Sequence, residues 1–421
     1  MVIRFKRKSQ WEWLVLFILA MPFAFAFLME FLRFPAAVKY MLDAAWLLLV
    51  IGLLRKRKNL PNTQSRALAV ITVVFFGMTL IGFLLHLQSP LYYLWGMRNN
   101  VRFFVFFFSC ISFLREDSLE NYLHFLDRIF WINIPVVLFQ YFILGKNGDY
   151  LGGVFGVQKG CNAYMNIFLM LVMTRTLLLF MNRRENLKRC LTKCAVAFIV
   201  AALSELKMFF LEAIVIVFLA AAMTRFSLRK LWIILGVSLG MAVAIRMIYI
   251  LFPVFENWFR LESIWESAIT KRGYTSSNDM NRLTAVSIAL ARFLPSLPDK
   301  LFGLGLGNCD YASFSFLVTP FYRAYGYLNY AWFSSSFLVL ETGLLGLSIY
   351  IAFFAVLYFG ANKREKFRQS DVVYCQTAKI MAVMCLVLIV YNNSLRMESA
   401  YMLFFVLALP FVKHRAASRN A

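Results

Sequence analysis

Residues 67–88, ALAVITVVFFGMTLIGFLLHLQ, decide the fold, because they contain no Asp, Glu, Lys or Arg. A helix of about 20 apolar residues crosses the hydrocarbon core of a bilayer, which is about 30 Å thick. Residues 231–252, LWIILGVSLGMAVAIRMIYILF, have the same character apart from one arginine. Because such runs recur along the whole length, the sequence predicts a single membrane domain covering residues 1–421.

The composition supports this interpretation. Of the 421 residues, 61% are hydrophobic and only 15% are charged, whereas a soluble domain carries roughly 25% charged residues. The formal net charge of +23 raises the hypothesis of nucleic-acid binding, but the basic residues lie in short clusters between apolar runs. We therefore expect no nucleic-acid partner, and we expect these clusters to contact membrane lipids.

The apolar runs predict an all-α, polytopic integral membrane protein with about twelve transmembrane helices. The predicted spans are residues 11–29, 35–54, 67–88, 97–114, 128–145, 162–181, 191–206, 207–224, 231–252, 331–359, 372–391 and 399–412. The basic clusters fall in alternate short loops, as cytoplasmic loops do. This alternation predicts that both termini are cytoplasmic.

Two of the predicted spans meet without a loop. Residues 191–206 and 207–224 join at Ser204-Glu205-Leu206-Lys207. If they formed one long helix, the basic segments 363–368 and 413–419 would move to the outer side of the membrane, against the positive-inside rule. We therefore predict two helices with a sharp turn between them.

One loop differs from all the others. Residues 253–330 contain no apolar run long enough to span and form a large extracytoplasmic loop. Within it, the pattern of residues 278–294 predicts an amphipathic helix that Pro295 ends. The run GLGLG at residues 303–307 lacks the spacing of a nucleotide-binding loop and follows no strand, so we expect a tight turn there.

Several ionisable residues lie near the predicted outer boundary of the membrane. Such residues are costly at membrane depth and usually face a cavity or a partner, although a helix-end Arg or Lys can simply extend its tip to the interface. The set comprises Arg98, Arg102, Glu205, Lys207, Glu212, Arg246, Glu341 and Arg396. Because basic groups dominate it, we favour a cationic outer site, and a diphosphate is the anion that Arg and Lys suit best.

The sequence gives no sign of a metal or another cofactor, and we predict none. Its seven cysteines form no CxxC pair and no metal-ligand spacing. Cys161 and Cys309 fall in predicted outer loops, so a disulfide between them is conceivable. His86, near the outer end of the third span, is either a general base or a structural residue.

Three segments complete the pattern. They are Gly152-Gly153-Val154-Phe155-Gly156 followed by Asn162; Leu203-Ser204-Glu205-Leu206-Lys207; and Asn281-Arg282-Leu283 with Gly303-Leu304-Gly305-Leu306-Gly307 and Leu340-Glu341-Thr342-Gly343-Leu344-Leu345-Gly346-Leu347. Together with the span count and the large loop before the third-last span, they resemble the Wzy-type polysaccharide polymerases, a family related to the O-antigen ligases.

The resemblance implies a metal-independent glycosyltransferase with a GT-C-like helical fold in the bacterial plasma membrane. Such a protein transfers a growing glycan from undecaprenyl diphosphate onto a lipid-linked repeat unit, and a chain-length regulator is a conceivable partner. The resemblance implies that Lys207 and Arg282 hold the donor diphosphate, where positive charge would stabilise the leaving group. Weaker candidates for that contact are Arg98, Lys159, Arg272 and Arg323. The candidates for a general base are Glu205, Asp310 and Glu341.

Two alternatives to a polymerase stay open. Ligases carry a His-Asn pair shortly before the glutamate of the closing segment, whereas residues 331–336 are AWFSSS and contain no histidine. This difference favours a polymerase over a ligase. A flippase for the same lipid-linked oligosaccharide would be expected to have two repeat-related halves, and no such repeat is evident in this sequence.

Overall fold

The computed structural model describes residues 9–56, 60, 62–224, 228–251, 274 and 278–413. Within these residues the chain forms helices and no β-strand, and an isolated bridge pairs Tyr274 with Met280. The predicted all-α fold is therefore confirmed for the part of the chain that the structure describes.

The helices follow the predicted order. They are α1 (Gln10–Ala26), α2 (Met41–Arg55), α3 (Thr63–His86), α4 (Pro90–Phe113), α5 (Glu116–Phe142), α6 (Asn162–Met181), α7 (Leu187–Leu203), α8 (Lys207–Met223), α9 (Leu228–Leu251), α10 (Ala285–Ile288), α11 (Leu297–Phe302), α12 (Pro320–Tyr325), α13 (Ser334–Lys366), α14 (Val372–Tyr391) and α15 (Ala400–Ala408). A π-helical turn, Phe27–Phe31, continues α1, and a 3-10 turn, Ala36–Tyr40, leads into α2.

Seven helical segments among the described residues are long and apolar enough to cross a membrane. They are Gln10–Phe31, Ala36–Arg55, Thr63–His86, Glu116–Phe142, Asn162–Met181, Ser334–Lys366 and Val372–Tyr391. Large apolar side chains cover the outside of such helices; on α3, Val73 is 71% exposed and Leu84 is 58% exposed. Exposed apolar surface of this extent marks contact with lipid or a partner. The chain is an all-α membrane protein.

The aromatic side chains that face inward hold α4 against α13 and α15. The Phe104 ring lies 5.0 Å from Phe353 and 5.6 Å from Phe404, both in edge-on geometry. Phe103 packs on Tyr401 at 5.0 Å. Edge-on aromatic pairs contribute roughly 0.5–1.5 kcal/mol each beyond burial, so these contacts fix the helices that carry the charged residues described below.

The chain breaks between α7 and α8 as predicted. Glu205 adopts the left-handed conformation, with φ of 53°, and the N–H of Leu206 donates to the Ala201 carbonyl at 2.8 Å. Helix α8 then returns to the end of the bundle at which α7 began, where Gln376 Nε2 donates to the Met223 carbonyl at 3.1 Å. The two helices therefore form a hairpin rather than one long helix.

The bundle has two ends, which we name by their connecting segments. The loop face carries residues 143–161, 204–206, 278–333 and 392–399. The opposite face carries residues 114–115, 182–186 and 367–371. Contacts between distant segments define each face: Ser334 N–H donates to the Asn392 carbonyl at 3.0 Å on the loop face, and Arg184 pairs with Asp371 at 2.6 Å on the opposite face.

The GLGLG run at residues 303–307 forms a tight, buried turn against α3 and α13. Gly303 has a φ of 72° and Gly305 a φ of 97°, which only glycine adopts readily. His86 Nε2 lies 2.8 Å from the Gly303 carbonyl oxygen, and the Leu304 N–H donates to the Leu340 carbonyl at 2.7 Å. The predicted turn is confirmed, and His86 serves to hold it.

Two further expectations differ from the structure. The helix predicted at residues 278–294 is shorter, because α10 begins only at Ala285 and continues as a π-turn to Phe293. Cys161 and Cys309 are both buried and free, so the conceivable disulfide between them does not form. Of the large loop at residues 253–330, residues 253–273 and 275–277 lie outside the described part of the chain.

Candidate functional site on the loop face

The turn between α7 and α8 brings together charged residues that are far apart in the sequence. Asp149, Glu205 and Arg282 each lie within electrostatic range of Lys207, and we call these four residues the junction cluster. The Glu205 carboxylate lies against Gly148, so closely that a Cβ added there would be 3.0 Å from it. The sharp turn between α7 and α8 therefore places Glu205 and Lys207 near each other.

The glycine-rich segment before α6 contributes Asp149 to the junction cluster. Asn162 Nδ2, at the start of α6, donates to Asp149 Oδ1 at 3.0 Å. The side-chain amide of Gln140 fixes the same segment. Its oxygen accepts the Gly153 N–H and its nitrogen donates to the Gly153 carbonyl, each at 2.7 Å. These contacts give the segment a defined conformation, so Asp149 is held in place.

Arg282, another member of the junction cluster, is exposed. Its guanidinium lies 4.9 Å from the Tyr391 ring centroid and 5.6 Å from that of Phe333. Its Nε donates to the Tyr391 carbonyl at 3.3 Å. Within the described residues Arg282 forms no ion pair, and two aromatic rings and the Tyr391 carbonyl position its charge.

Burial raises the pKa of the Glu205 carboxyl above its ordinary value, the nearby Asp149 adds to this, and Lys207 opposes it. A carboxyl group with a raised pKa is a better proton acceptor once ionised. The junction cluster therefore combines two cations, Lys207 and Arg282, with two acids, Asp149 and Glu205, and of these acids Glu205 has the raised pKa.

A second charged region of the loop face consists of ion pairs between arginines and carboxylates. Arg396 donates to Asp310 Oδ2 at 2.9 Å, and Asn99 Nδ2 donates to the same oxygen at 2.7 Å. Arg98 binds Asp43 with two hydrogen bonds of 3.0 and 2.5 Å and donates to Asn99 Oδ1 at 2.6 Å. We call these residues, with those of the next paragraph, the paired network.

The paired network continues toward α6 through Arg102 and Glu398. Arg102 lies 3.6 Å from the Glu398 carboxylate and donates to the Arg396 carbonyl at 3.1 Å. Tyr164 donates to Glu398 Oε2 at 2.5 Å. Burial opposes ionisation of Glu398, but Arg102 and its other neighbours lower its pKa to about 2. Glu398 is therefore ionised and paired with Arg102.

Glu341 lies in a third position, inside α13. Its side chain is 1% exposed, and its Oε1 accepts the Cys309 N–H at 3.2 Å. It also accepts a backbone hydrogen bond from Gly307. Glu341 thus holds the end of the GLGLG turn, and its remaining oxygen has no hydrogen-bond partner among the described residues.

Two other candidate residues, Lys159 and Arg323, are not members of the junction cluster. Lys159 is exposed and lines a cavity of about 150 Å³ together with Lys39 and Glu398. Arg323 is exposed on α12 and donates to the Ser315 carbonyl at 3.1 Å. Arg272 lies outside the described residues.

The sequence analysis did not select three residues that shape the loop face. Glu398 and Asp43 supply the carboxylates that neutralise Arg102 and Arg98, and Tyr391 supports Arg282. Glu398 could have been found, because it lies two residues after Arg396 in the short connection between the last two predicted spans. Nothing in the sequence distinguishes Tyr391 from the other tyrosines.

No protein-family model matches the chain, and no curated protein matches it at a significant level. Its function is therefore inferred from the residues and contacts described above.

Proposed function

We propose that this chain is a polysaccharide polymerase of the Wzy type. It would transfer a growing glycan from undecaprenyl diphosphate onto an incoming lipid-linked repeat unit, at the outer face of the bacterial plasma membrane. One observation carries the proposal: Lys207 and Arg282, which the resemblance takes from two distant sequence segments, lie within electrostatic range of each other, and Glu205 acts on the same lysine.

The proposed topology places the loop face outside the cytoplasm. All twelve predicted segments, including α4, α7, α8, α9 and α15, would cross the membrane, and both termini would be cytoplasmic. Basic residues support this orientation, because Arg184 lies in the turn between α6 and α7 and Arg189 lies in the first turn of α7, at the opposite face. Short cytoplasmic loops are enriched in Lys and Arg.

The donor diphosphate would bind between Lys207 and Arg282. The Arg282 guanidinium can form two parallel hydrogen bonds to phosphate oxygens, and Lys207 adds a compact charge. As the bond between the anomeric carbon and the diphosphate oxygen breaks, negative charge accumulates on the leaving group. Fixed cations at that position stabilise the transition state without reorganisation, so the proposed reaction requires no metal ion or other cofactor.

Glu205 is the proposed general base. The acceptor hydroxyl attacks the anomeric carbon and gives its proton to the Glu205 carboxylate. Asp310 suits this role less, because Arg396 and Asn99 already occupy one of its oxygens. Glu341 suits it less because it is buried within α13 and holds the GLGLG turn.

The residues that were weaker candidates for the contact with the diphosphate have secondary roles in this proposal. Asp43 already engages Arg98 through two hydrogen bonds. Lys159 and Arg323 are exposed on the loop face, where they could contact the glycan or lipid headgroups, and Arg272 is retained on the basis of sequence alone. The proposed partners are the lipid-linked oligosaccharide, membrane lipids and a chain-length regulator.

The test is the glycan ladder of a deletion strain complemented with the wild-type chain, Lys207→Ala or Arg282→Ala. Removing one charge from an oxyanion-type site lowers the rate roughly 100-fold or more, so we expect single-repeat products with either variant. Lys300→Ala, in α11 and outside the junction cluster, is the matched control and should give a normal ladder. Membrane levels of every variant are measured in parallel.

Each alternative predicts a different result. Normal ladders with both variants would reject the site, and polymer of normal length in the deletion strain would reject the polymerase. If the deletion left complete polymer attached to undecaprenyl diphosphate, the chain would be a ligase. If repeat units accumulated on the cytoplasmic side, it would be a flippase.

A further inference from the structure

A cleft of about 610 Å³ opens on the opposite face, between the α6–α7 turn and the beginning of α9. Its lining includes Phe180, Arg183, Arg184, Leu187 and Trp232. We call it the turn cleft. Its volume lies within the range of roughly 300–1,000 Å³ that is usual for small-molecule sites, and the junction cluster lies at the other end of the bundle.

Arg183 occupies a backbone position that normally favours glycine. It follows the last turn of α6 with a φ of 61°. Its N–H donates to the Phe180 carbonyl at 2.9 Å, and the Arg184 N–H donates to the Leu179 carbonyl at 2.8 Å. These two bonds form a Schellman motif. Within the described residues the Arg183 guanidinium has no hydrogen bond or ion pair, so its full set of donors is available in the cleft.

The neighbouring charges leave the cleft positive. Arg184 is fixed by Asp371 at 2.6 Å, and a guanidinium retains further N–H donors after one such contact. Glu185, the acid in the cleft lining, lies 3.5 Å from Arg189. Helix α6 ends at Met181 and α7 begins at Leu187, so the negative end of one helix dipole and the positive end of the other both lie at the cleft, and the arginines set its charge.

The remaining wall of the turn cleft is apolar. Phe180 contributes from α6, Leu187 is 38% exposed, and Trp232 on α9 is 65% exposed. Tryptophan is enriched at the level of lipid headgroups, where its ring contacts acyl chains and its N–H contacts polar groups. The cleft is therefore cationic at one side and apolar at the other.

We propose that the turn cleft binds an anionic phospholipid. The lipid phosphate lies against Arg183, Arg184 and the beginning of α7, and the glycerol and upper acyl chain lie along Phe180, Leu187 and Trp232. A free phosphate would use only the cationic side, whereas a phospholipid matches both. Basic pockets between transmembrane helices are suited to such headgroups. This inference does not depend on the polymerase assignment.

The experiment measures thermal unfolding of the purified full-length chain in detergent, with added phosphatidylglycerol, phosphatidylcholine or inorganic phosphate. We expect phosphatidylglycerol alone to raise the melting temperature at low lipid concentration. Arg183→Gln should lower the apparent affinity for phosphatidylglycerol about tenfold, because a charge-assisted hydrogen bond is lost from the site. Arg66→Gln, an exposed arginine of the opposite face outside the cleft, should leave it unchanged.

The variant Arg183→Gly distinguishes the loss of the lipid-binding side chain from an effect on the backbone conformation. Glycine suits the left-handed conformation better than arginine, so without lipid this variant should melt at or above the wild-type temperature, yet lose the response to phosphatidylglycerol. Equal stabilisation by phosphatidylcholine, or by inorganic phosphate, would overturn the proposal. It would also be overturned if either Arg183 variant kept the full wild-type response.

Discussion

The loop face holds two charged regions that differ in how their charges are satisfied. In the paired network, Asp310 faces Arg396, Asp43 faces Arg98 and Glu398 faces Arg102. In the junction cluster, Arg282 rests on aromatic rings and a backbone carbonyl instead of a carboxylate. Each arginine of the network thus has a carboxylate partner, whereas Arg282 has none within ion-pair distance among the described residues.

The two regions differ in whether a bound phosphate would compete with a carboxylate for the cation. A buried cation with a fixed carboxylate partner would lose that partner if a substrate phosphate displaced it. A cation positioned by aromatic rings keeps its support while it binds. Arg98 was predicted at the outer boundary and Arg282 in the large outer loop, but only Arg282 meets this condition, since two hydrogen bonds tie Arg98 to Asp43.

The largest effect is expected from breaking the paired network. Asp310→Ala leaves Arg396, whose side chain is 7% exposed, as a buried charge without its carboxylate. Removing one partner of a buried ion pair typically costs about 3–5 kcal/mol, so the variant should unfold at a much lower temperature in detergent or fail to accumulate in the membrane. A melting temperature close to that of the wild type would show that this pair contributes little to the fold.

A double variant sharpens this result. Asp310→Ala combined with Arg396→Leu removes both charges and should recover part of the lost stability, because no unpaired buried charge remains. Loss of stability equal to the sum of the two single variants would instead indicate that the two residues act independently.

The next effect concerns the pH dependence of the junction cluster. Because burial raises the pKa of Glu205, protonation should remove the proposed base at a pH above the ordinary glutamate value of about 4.3. Polymerisation in membrane vesicles should therefore fall as the pH drops through that raised pKa. Glu205→Gln should lower the rate roughly 100-fold and abolish this dependence.

The control for this profile is Glu341→Gln, which removes a carboxylate from the GLGLG turn instead. A Glu205→Gln chain that retained both the wild-type rate and the acid limb would contradict the assignment of Glu205. If Glu341→Gln alone removed the acid limb at normal membrane levels, the base would be Glu341.

The smallest effect is expected on the stability of the junction cluster itself. Arg282 is exposed and makes two ring contacts and one backbone contact, so Arg282→Gln should change the free energy of unfolding by less than about 1 kcal/mol. The measurement is thermal unfolding of Arg282→Gln in parallel with Asp310→Ala. A loss as large as that of Asp310→Ala would place Arg282 among the structural charges and remove the contrast between the two regions.

Much of the fold was predictable from local sequence. The α7–α8 break at Ser204–Leu206 and the tight turn at residues 303–307 were both predicted correctly. The helix at residues 278–294 was predicted too long, because Asn281 and Thr284 form a turn before α10 begins. Periodicity reports an apolar face, whereas the first helical residue depends on local backbone hydrogen bonds.

The sequence by itself determined the helical membrane fold, since long apolar runs can satisfy their backbone N–H and C=O groups in lipid only as helices or closed barrels. It also identified Lys207 and Arg282 as candidates. Only the tertiary structure decided which charges are paired, because Asp43 and Arg98, or Asp310 and Arg396, come from different helices and loops. Ion pairing depends on distances of a few ångströms between such segments, and no local pattern encodes these distances.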